Sequence, residues 1–207
     1  IIYHYASTRS STVPLHFFDE YAGYLHADGY AGYLPLIATK PIKIVACMAH
    51  MRRKFYAIVQ TSETEGLAHQ AMKFITPLYT LEKQLKEVNA SSDTIKQQRH
   101  EKAKPIMDEM LLWLQTQSTR TPPKSPIGEA IGYALKQWRH FTNYLNDGRL
   151  EIDNNRSERA VKPFVIGRKN WLFAGNHHGA IAGANLMSLI ETAKVHGLNP
   201  YDYLRYV

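Results

Sequence analysis

An α/β fold interrupted by a large all-helical insertion is what this sequence predicts, on three observations. Strand-like runs crowd the first quarter, the stretch from about Thr61 to Gly148 reads as nearly all helical, and a basic block followed by further helices closes the chain. The expected parts are 1–60 for the first portion of an α/β core, 61–148 for the insertion and 149–207 for the return to the core. With 207 residues, 44% of them hydrophobic, the chain can build one full-sized core, or one core plus an inserted lobe.

Ile1–Ala6 is rich in β-branched and aromatic side chains and reads as a strand cut within a sheet, since neither an initiator methionine nor a turn precedes it. Tyr24–Ala27 is a short apolar run followed at once by Asp28 and Gly29. That order puts Asp28 at the C-terminal edge of a strand, with glycine permitting the turn. Open α/β sheets collect their ligands at that edge. Ile42–Cys47 is a continuous buried-type run.

From Met48 to Gln60 the period becomes helical, and Arg52, Arg53 and Lys54 fan around the axis so that one or two must face away from any core. Ser62-Glu-Thr-Glu65 matches a capping box. Beyond it Leu67, Ala71, Phe74, Ile75, Leu78, Leu81, Leu85 and Val88 recur at three- and four-residue steps, a long amphipathic helix with a kink or restart expected at Pro77. Polar residues Asn89–Asp93 break the pattern, and Ile106, Met107, Met110, Leu111 and Leu114 line a further helix. After the proline-rich loop Ser118–Pro126, Ser125 is an N-cap and Pro126 a first helical residue, with Ile127, Ile131, Leu135, Trp138, Phe141 and Leu145 inward and Asp147-Gly148 as the stop. A Gly- and Ala-rich helix from about Gly179 to His196 stops at Gly197, and Asn199-Pro200 caps a last short helix.

A net charge of +7 and a pI near 9.4 favour polyanionic partners, while also fitting an ordinary soluble surface. The single cysteine, Cys47, excludes an intramolecular disulfide, and Cys47-Met-Ala-His50 supplies at most half of a zinc site, so Cys47 reads as a core residue. No apolar run approaches the roughly 20 residues that cross a bilayer, and no leader-like segment opens the chain. The expectation is a soluble cytoplasmic protein, nucleoid-associated, without a membrane partner.

The block Leu150–Gly175 sets Glu158 among Arg156, Arg159, Lys162, Arg168 and Lys169. A carboxylate in a field of cations suits an enzyme that holds a divalent metal against a phosphate backbone, because the metal needs oxygen ligands and the phosphates need Lys and Arg. Asp28 is the second candidate, 130 residues earlier. Only a fold that returns the chain to the same sheet edge can unite the two. Each has a plainer reading: Asn155-Arg-Ser-Glu158 has capping-box spacing with Lys162 four residues on, and Asp28 before Gly29 is a common turn. Trp171 and Phe173 either stack on bases between cations or pack a strand or turn into the core. Arg52, Arg53 and Lys54 either grip phosphates or form a solvated face. His177-His178-Gly179 lacks a third ligand and reads as a loop.

Asp28-Gly-Tyr-Ala-Gly-Tyr33, Ala46-Cys-Met-Ala-His-Met-Arg-Arg-Lys-Phe55, Gly148-Arg-Leu-Glu-Ile-Asp-Asn-Asn-Arg-Ser-Glu-Arg-Ala160, Ile166-Gly-Arg-Lys-Asn-Trp-Leu-Phe-Ala-Gly175, Ser188-Leu-Ile-Glu-Thr-Ala-Lys194 and Asn199-Pro-Tyr-Asp-Tyr-Leu204 follow in order. Together they resemble the transposases of the bacterial Insertion Sequence 66 family over essentially the whole chain. The resemblance implies a ribonuclease H-like core, incomplete here at its N-terminal side, with an Asp-Asp-Glu metal triad and a helical insertion between the second aspartate and the glutamate. Those two fall on Asp28 and Glu158, and the first aspartate lies upstream of Ile1. Mg²⁺ or Mn²⁺ as cofactor, element ends and target DNA as partners and a homo-oligomeric active complex are implied with it. Arg156 and Arg159 would lie beside the metals, where they could bind phosphate, Arg52, Arg53, Lys54, Arg168 and Lys169 would hold DNA less locally, and Lys162 would be a further DNA-binding residue. Met48 stands where the family commonly has tryptophan, and Asn185-Leu-Met replaces a more usual small-Leu-Tyr pattern. Two rivals are a non-catalytic DNA-binding or assembly module, and a nuclease on the same core that cuts without joining.

Overall fold

Two of the three apolar runs become strands, and most of the rest is helix. In chain order the elements are α1 (Thr12–Phe17), β1 (Gly23–Ala27), α2 (Leu34–Thr39), β2 (Ile42–Ala46), α3 (Met48–Thr61) and α4 (Leu67–Glu87). They continue with α5 (Ser92–Gln98), α6 (Lys104–Ser118), α7 (Pro126–Phe141), α8 (Asn155–Trp171), α9 (His177–Val195) and α10 (Pro200–Tyr206). This computed structural model describes residues 1–207, is 68% helical and holds one small parallel sheet. No helix is long and apolar enough to cross a membrane. The chain forms two compact units, a central one of Glu20–Asn154 and a terminal one of Ile1–Asp19 with Asn155–Val207.

In the central unit β1 and β2 pair in parallel, from Gly23 opposite Ile42 to Ala27 opposite Ala46. A parallel pair needs a crossover, here made by α2 with its flanking turns. Every residue of β2 except Lys43 is buried, as the apolar run Ile44–Ala46 requires. Helices α3, α4, α6 and α7 add stripes at three- and four-residue spacing: Met51 and Phe55, Ala71, Ile75 and Leu78, Met107, Met110 and Leu114, and Ile131, Ala134 and Phe141.

Several local expectations change. Ser62 does not cap α4: its hydroxyl donates back to the Ile58 carbonyl at 2.8 Å and closes α3. Helix α4 starts instead after Gly66, whose N–H donates to His69 Nδ1 at 3.2 Å, and it runs unbroken through Pro77. Ser91 starts α5 by accepting from Thr94 N–H at 3.2 Å, and a π-helical turn, Arg99–Ala103, passes the chain into α6. Ser125 caps α7 as its sequence requires, accepting from Gly128 N–H at 3.1 Å. The α-helix then tightens into a 3₁₀ turn, Thr142–Asn146, before the predicted stop. A Cβ at Gly148 would fall 1.9 Å from the Ser92 carbonyl oxygen, so only glycine allows that loop to approach α5.

The centre of this unit is Arg99, 2% exposed. Its Nε and one Nη donate to the two oxygens of buried Glu82, each at 2.8 Å. The remaining guanidinium protons go to the carbonyls of Tyr144, Asp147 and Leu150 at 2.9, 3.0 and 2.8 Å. All five donors are used, which is the condition under which a buried cation is tolerated. Arg99 thereby fastens the loop 144–150, the approach to the basic block, onto the helical lobe.

The terminal unit is built differently. Ile1–Ala6 does not form a strand, because no neighbouring strand offers it a ladder. It lies against helices instead: Tyr3 N–H donates to Ser188 Oγ at 2.8 Å, Thr192 Oγ1 to the Ile1 carbonyl at 3.1 Å, and Tyr3 Oη to the Ala160 carbonyl. Asn176 caps α9 by accepting from Gly179 N–H at 2.9 Å, which draws His177 and His178 into the first helical turn and not a loop. Gly197 takes φ +71° after α9, and Asn199 caps α10 through Tyr201 N–H at 2.9 Å.

Candidate functional site

Asp28 follows β1 directly and is exposed at the C-terminal edge of the parallel pair. Its Oδ1 accepts from Tyr30 N–H at 3.2 Å, an Asx turn made possible by Gly29 at φ +67°. Helix α7 abuts this turn, for a Cβ on Gly29 would lie 3.1 Å from Gln137 Nε2 and 3.5 Å from Tyr133 Oη. A cavity of about 40 Å³ opens beside it, bordered by Tyr33, Lys136 and His140. Burial, with the Asp28 charge second, pushes the Tyr33 phenol up, and burial pushes the His140 imidazole down.

The neighbouring strand delivers Cys47 to the same edge, buried as expected, its thiol pushed up by burial. The chain returns to this edge more than 100 residues later: Met48 N–H donates to the Ile152 carbonyl at 3.2 Å and Asn154 N–H, 107 residues on, to Cys47 Sγ at 3.2 Å. Asp153, between them, is a buried carboxylate that sequence reasoning passed over. Its charge acts on His26, Cys47 and Tyr79, and burial is the main cause that lifts the Tyr79 phenol far above its ordinary value. Nothing in its spacing separated Asp153 from the polar residues around it.

Arg52, Arg53 and Lys54 are all exposed on α3. Arg52 lies over the Tyr56 and Tyr79 rings at 5.2 and 5.9 Å, and Lys54 over the Tyr133 ring at 4.9 Å, so two of the three are held by aromatic faces.

In the terminal unit Glu158 occupies the first turn of α8, with Arg168 and Lys169 in the last. Each sits where the helix dipole favours its charge. Arg156, Arg159 and Lys162 are exposed along the same helix, giving five cations to one acid. Trp171 and Phe173 do not pack into a core; they are 46% and 83% exposed at the end of α8, because the chain leaves the helix through Leu172 at φ +58°.

A model of the transposase IS66 family matches residues 1–182, and one of the IS66 C-terminal element matches residues 188–207. This chain belongs to the IS66 transposase family. Similar proteins occur in Sinorhizobium fredii (strain NBRC 101917 / NGR234). The uncharacterized protein y4hP is 33% identical over 98% of this chain and 39% of its own length, and the uncharacterized protein y4qI is 34% identical over 89% and 35%. The uncharacterized protein y4jD is 30% identical over 98% and 40%. The IS66 chain thus spans about two fifths of the length of these relatives. No solved structure matches it.

Proposed function

We propose that this chain is the later part of a transposase catalytic domain on a ribonuclease H-like core, cutting DNA and joining the cut end to a new site. The observation that carries the reading is the return of Ile152–Asn154 to the strand edge that also ends in Asp28. Covalent reach alone keeps Glu158 within about 14 Å of Asn154. Family membership, the exposure of both carboxylates and the cations around Glu158 support it.

Asp28 and Glu158 fit a divalent ion on chemical grounds: both are hard oxygen donors, both are exposed, and Mg²⁺ or Mn²⁺ keeps several waters when bound. When bound, the ion supplies a Lewis acid for phosphoryl transfer. Arg156, Arg159 and Lys162 bind the scissile region's phosphates, while Arg52, Arg53, Lys54, Arg168 and Lys169 hold flanking DNA. Water opens the phosphodiester at each element end, and the freed 3′-hydroxyl then attacks a target phosphate. The third carboxylate comes from outside these 207 residues, so the chain alone is inactive, and the active complex is a homo-oligomer.

The test is made in a longer parent that carries the complete triad, with Asp28→Asn and Glu158→Gln in turn. Each variant should lose both cleavage and joining while folding and DNA binding persist. Unchanged cleavage would return both residues to turn and cap duty in a DNA-binding module, and cut ends without joined products would make the protein a nuclease.

A further inference from the structure

A groove of about 980 Å³ lies wholly within the terminal unit, between Ile2–Tyr5, α8 and α9. We propose that this groove receives unpaired nucleobases at the end of a DNA strand, an inference that rests on the DNA reading above. Three independent features point to flat, anionic guests. First, one wall is a run of rings: Tyr3 against Phe164 at 5.5 Å and Phe164 against Trp171 at 5.9 Å, nearly perpendicular. Gly167 makes this possible, since a Cβ there would sit 2.4 Å from the Trp171 ring that folds over it. The opposite wall, Gly179–Ala184 of α9, is mostly glycine and alanine, smooth enough for a ring face.

Second, the one charged side chain in the lining is the cation Arg168, and the positive end of α9 opens beside it at Gly179. Glu191, whose charge reaches Tyr3, is paired with Lys194 at 2.7 Å. An apolar polypeptide needs no such cation, whereas each base brings a phosphate with it.

Third, the rim is strained toward solvent. Leu172 holds a left-handed backbone that leucine rarely adopts, fixed by Leu172 N–H to the Arg168 carbonyl at 2.8 Å, and it leaves Phe173 83% exposed. Such strain gathers where a segment engages a ligand. Bases stacked inside a duplex do not present their faces, so the guest is a frayed or single-stranded end.

The test uses the full 207-residue chain and three fluorescein-labelled probes: a single-stranded oligonucleotide, the same strand with abasic sites, and a duplex. Anisotropy titrations compare the chain with Phe173→Ser, Trp171→Ala and Trp171→Phe variants. Phe173 is so exposed that its replacement leaves the fold intact, which circular dichroism verifies. Phe173→Ser and Trp171→Ala should weaken single-strand binding about 5- to 150-fold, the range that base–aromatic stacking gives, with Trp171→Phe retaining most of it. The abasic strand should lose as much, and duplex binding should hold. Equal single-strand affinity across the variants, with DNA still bound, would overturn the groove assignment alone. Binding of no probe would overturn it together with the DNA reading.

Discussion

The central unit holds nearly the whole hydrophobic core, with Met51, Phe55, Ile75, Met110 and Leu114 fully shielded, whereas the terminal unit buries only Ala184, Glu191 and Ala193. Helices α1, α8 and α10 bury no residue at all. Stability and presentation are therefore divided. One unit is fixed by packing and by the Arg99 network, and the other displays charge, rings and a carboxylate on helices held mainly by caps and a few hydrogen bonds.

The contrast is most sharply tested at Arg99. Arg99→Met should cost about 3–5 kcal/mol in urea unfolding, because it strands the Glu82 charge and three carbonyls in the interior. The double change with Glu82→Met should recover much of that loss. A small effect from Arg99→Met alone would mean that water reaches the pair. Next come truncations of matched kind. Phe55→Ala or Leu114→Ala in the central unit should cost about 2–5 kcal/mol, but Val165→Ala on exposed α8 less than about 0.5 kcal/mol. Equal losses in both units would erase the distinction.

Caps should narrow the difference. Ser125→Ala and Asn176→Ala each remove one N-terminal hydrogen bond and should each cost about 1 kcal/mol, one in either unit. The smallest effects concern pH. Burial holds the His26 imidazole below its ordinary 6.5, outweighing Glu151 and Asp153. The unfolded chain then takes up the proton first, so this contribution is complete above pH 6.5 and is lost as pH falls beneath it. His26→Leu should flatten that decline. Asp147 is held down to about 2 by its hydrogen bonds from Arg149. Its contribution is present above 3.8 and lost as pH drops toward 2, and salt should weaken it because the Arg149 side chain is 80% exposed.

What the sequence made legible was what short range determines. The strand edge at Ala27, that at Ala46 to within one residue, the stripes of α4, α6 and α7 and the caps at Ser125 and Asn199 follow from spacing and turn chemistry. Ile1–Ala6 misled because β-propensity describes a pleated surface, and a strand still needs a partner to complete its ladder. Ser62 misled because a serine hydroxyl closes a helix as readily as it opens one. Arg99 was invisible for a different reason: it stands in a polar run, and its four partner residues lie 17 to 51 positions away. At the candidate site Asp28 was placed by its own strand, but Asp153 took its meaning only from the chain's return to that edge.

The central claim, that Asp28 and Glu158 share one divalent ion, is tested most directly by substituting Fe²⁺ for Mg²⁺ and letting ascorbate and peroxide generate hydroxyl radicals at the ion. Cut positions are read by mass spectrometry. The account predicts backbone cleavage around both Asp28 and Glu158, suppressed at both places by excess Mg²⁺ or by Asp28→Asn alone. Cleavage confined to one of them, or indifferent to that substitution, would contradict it.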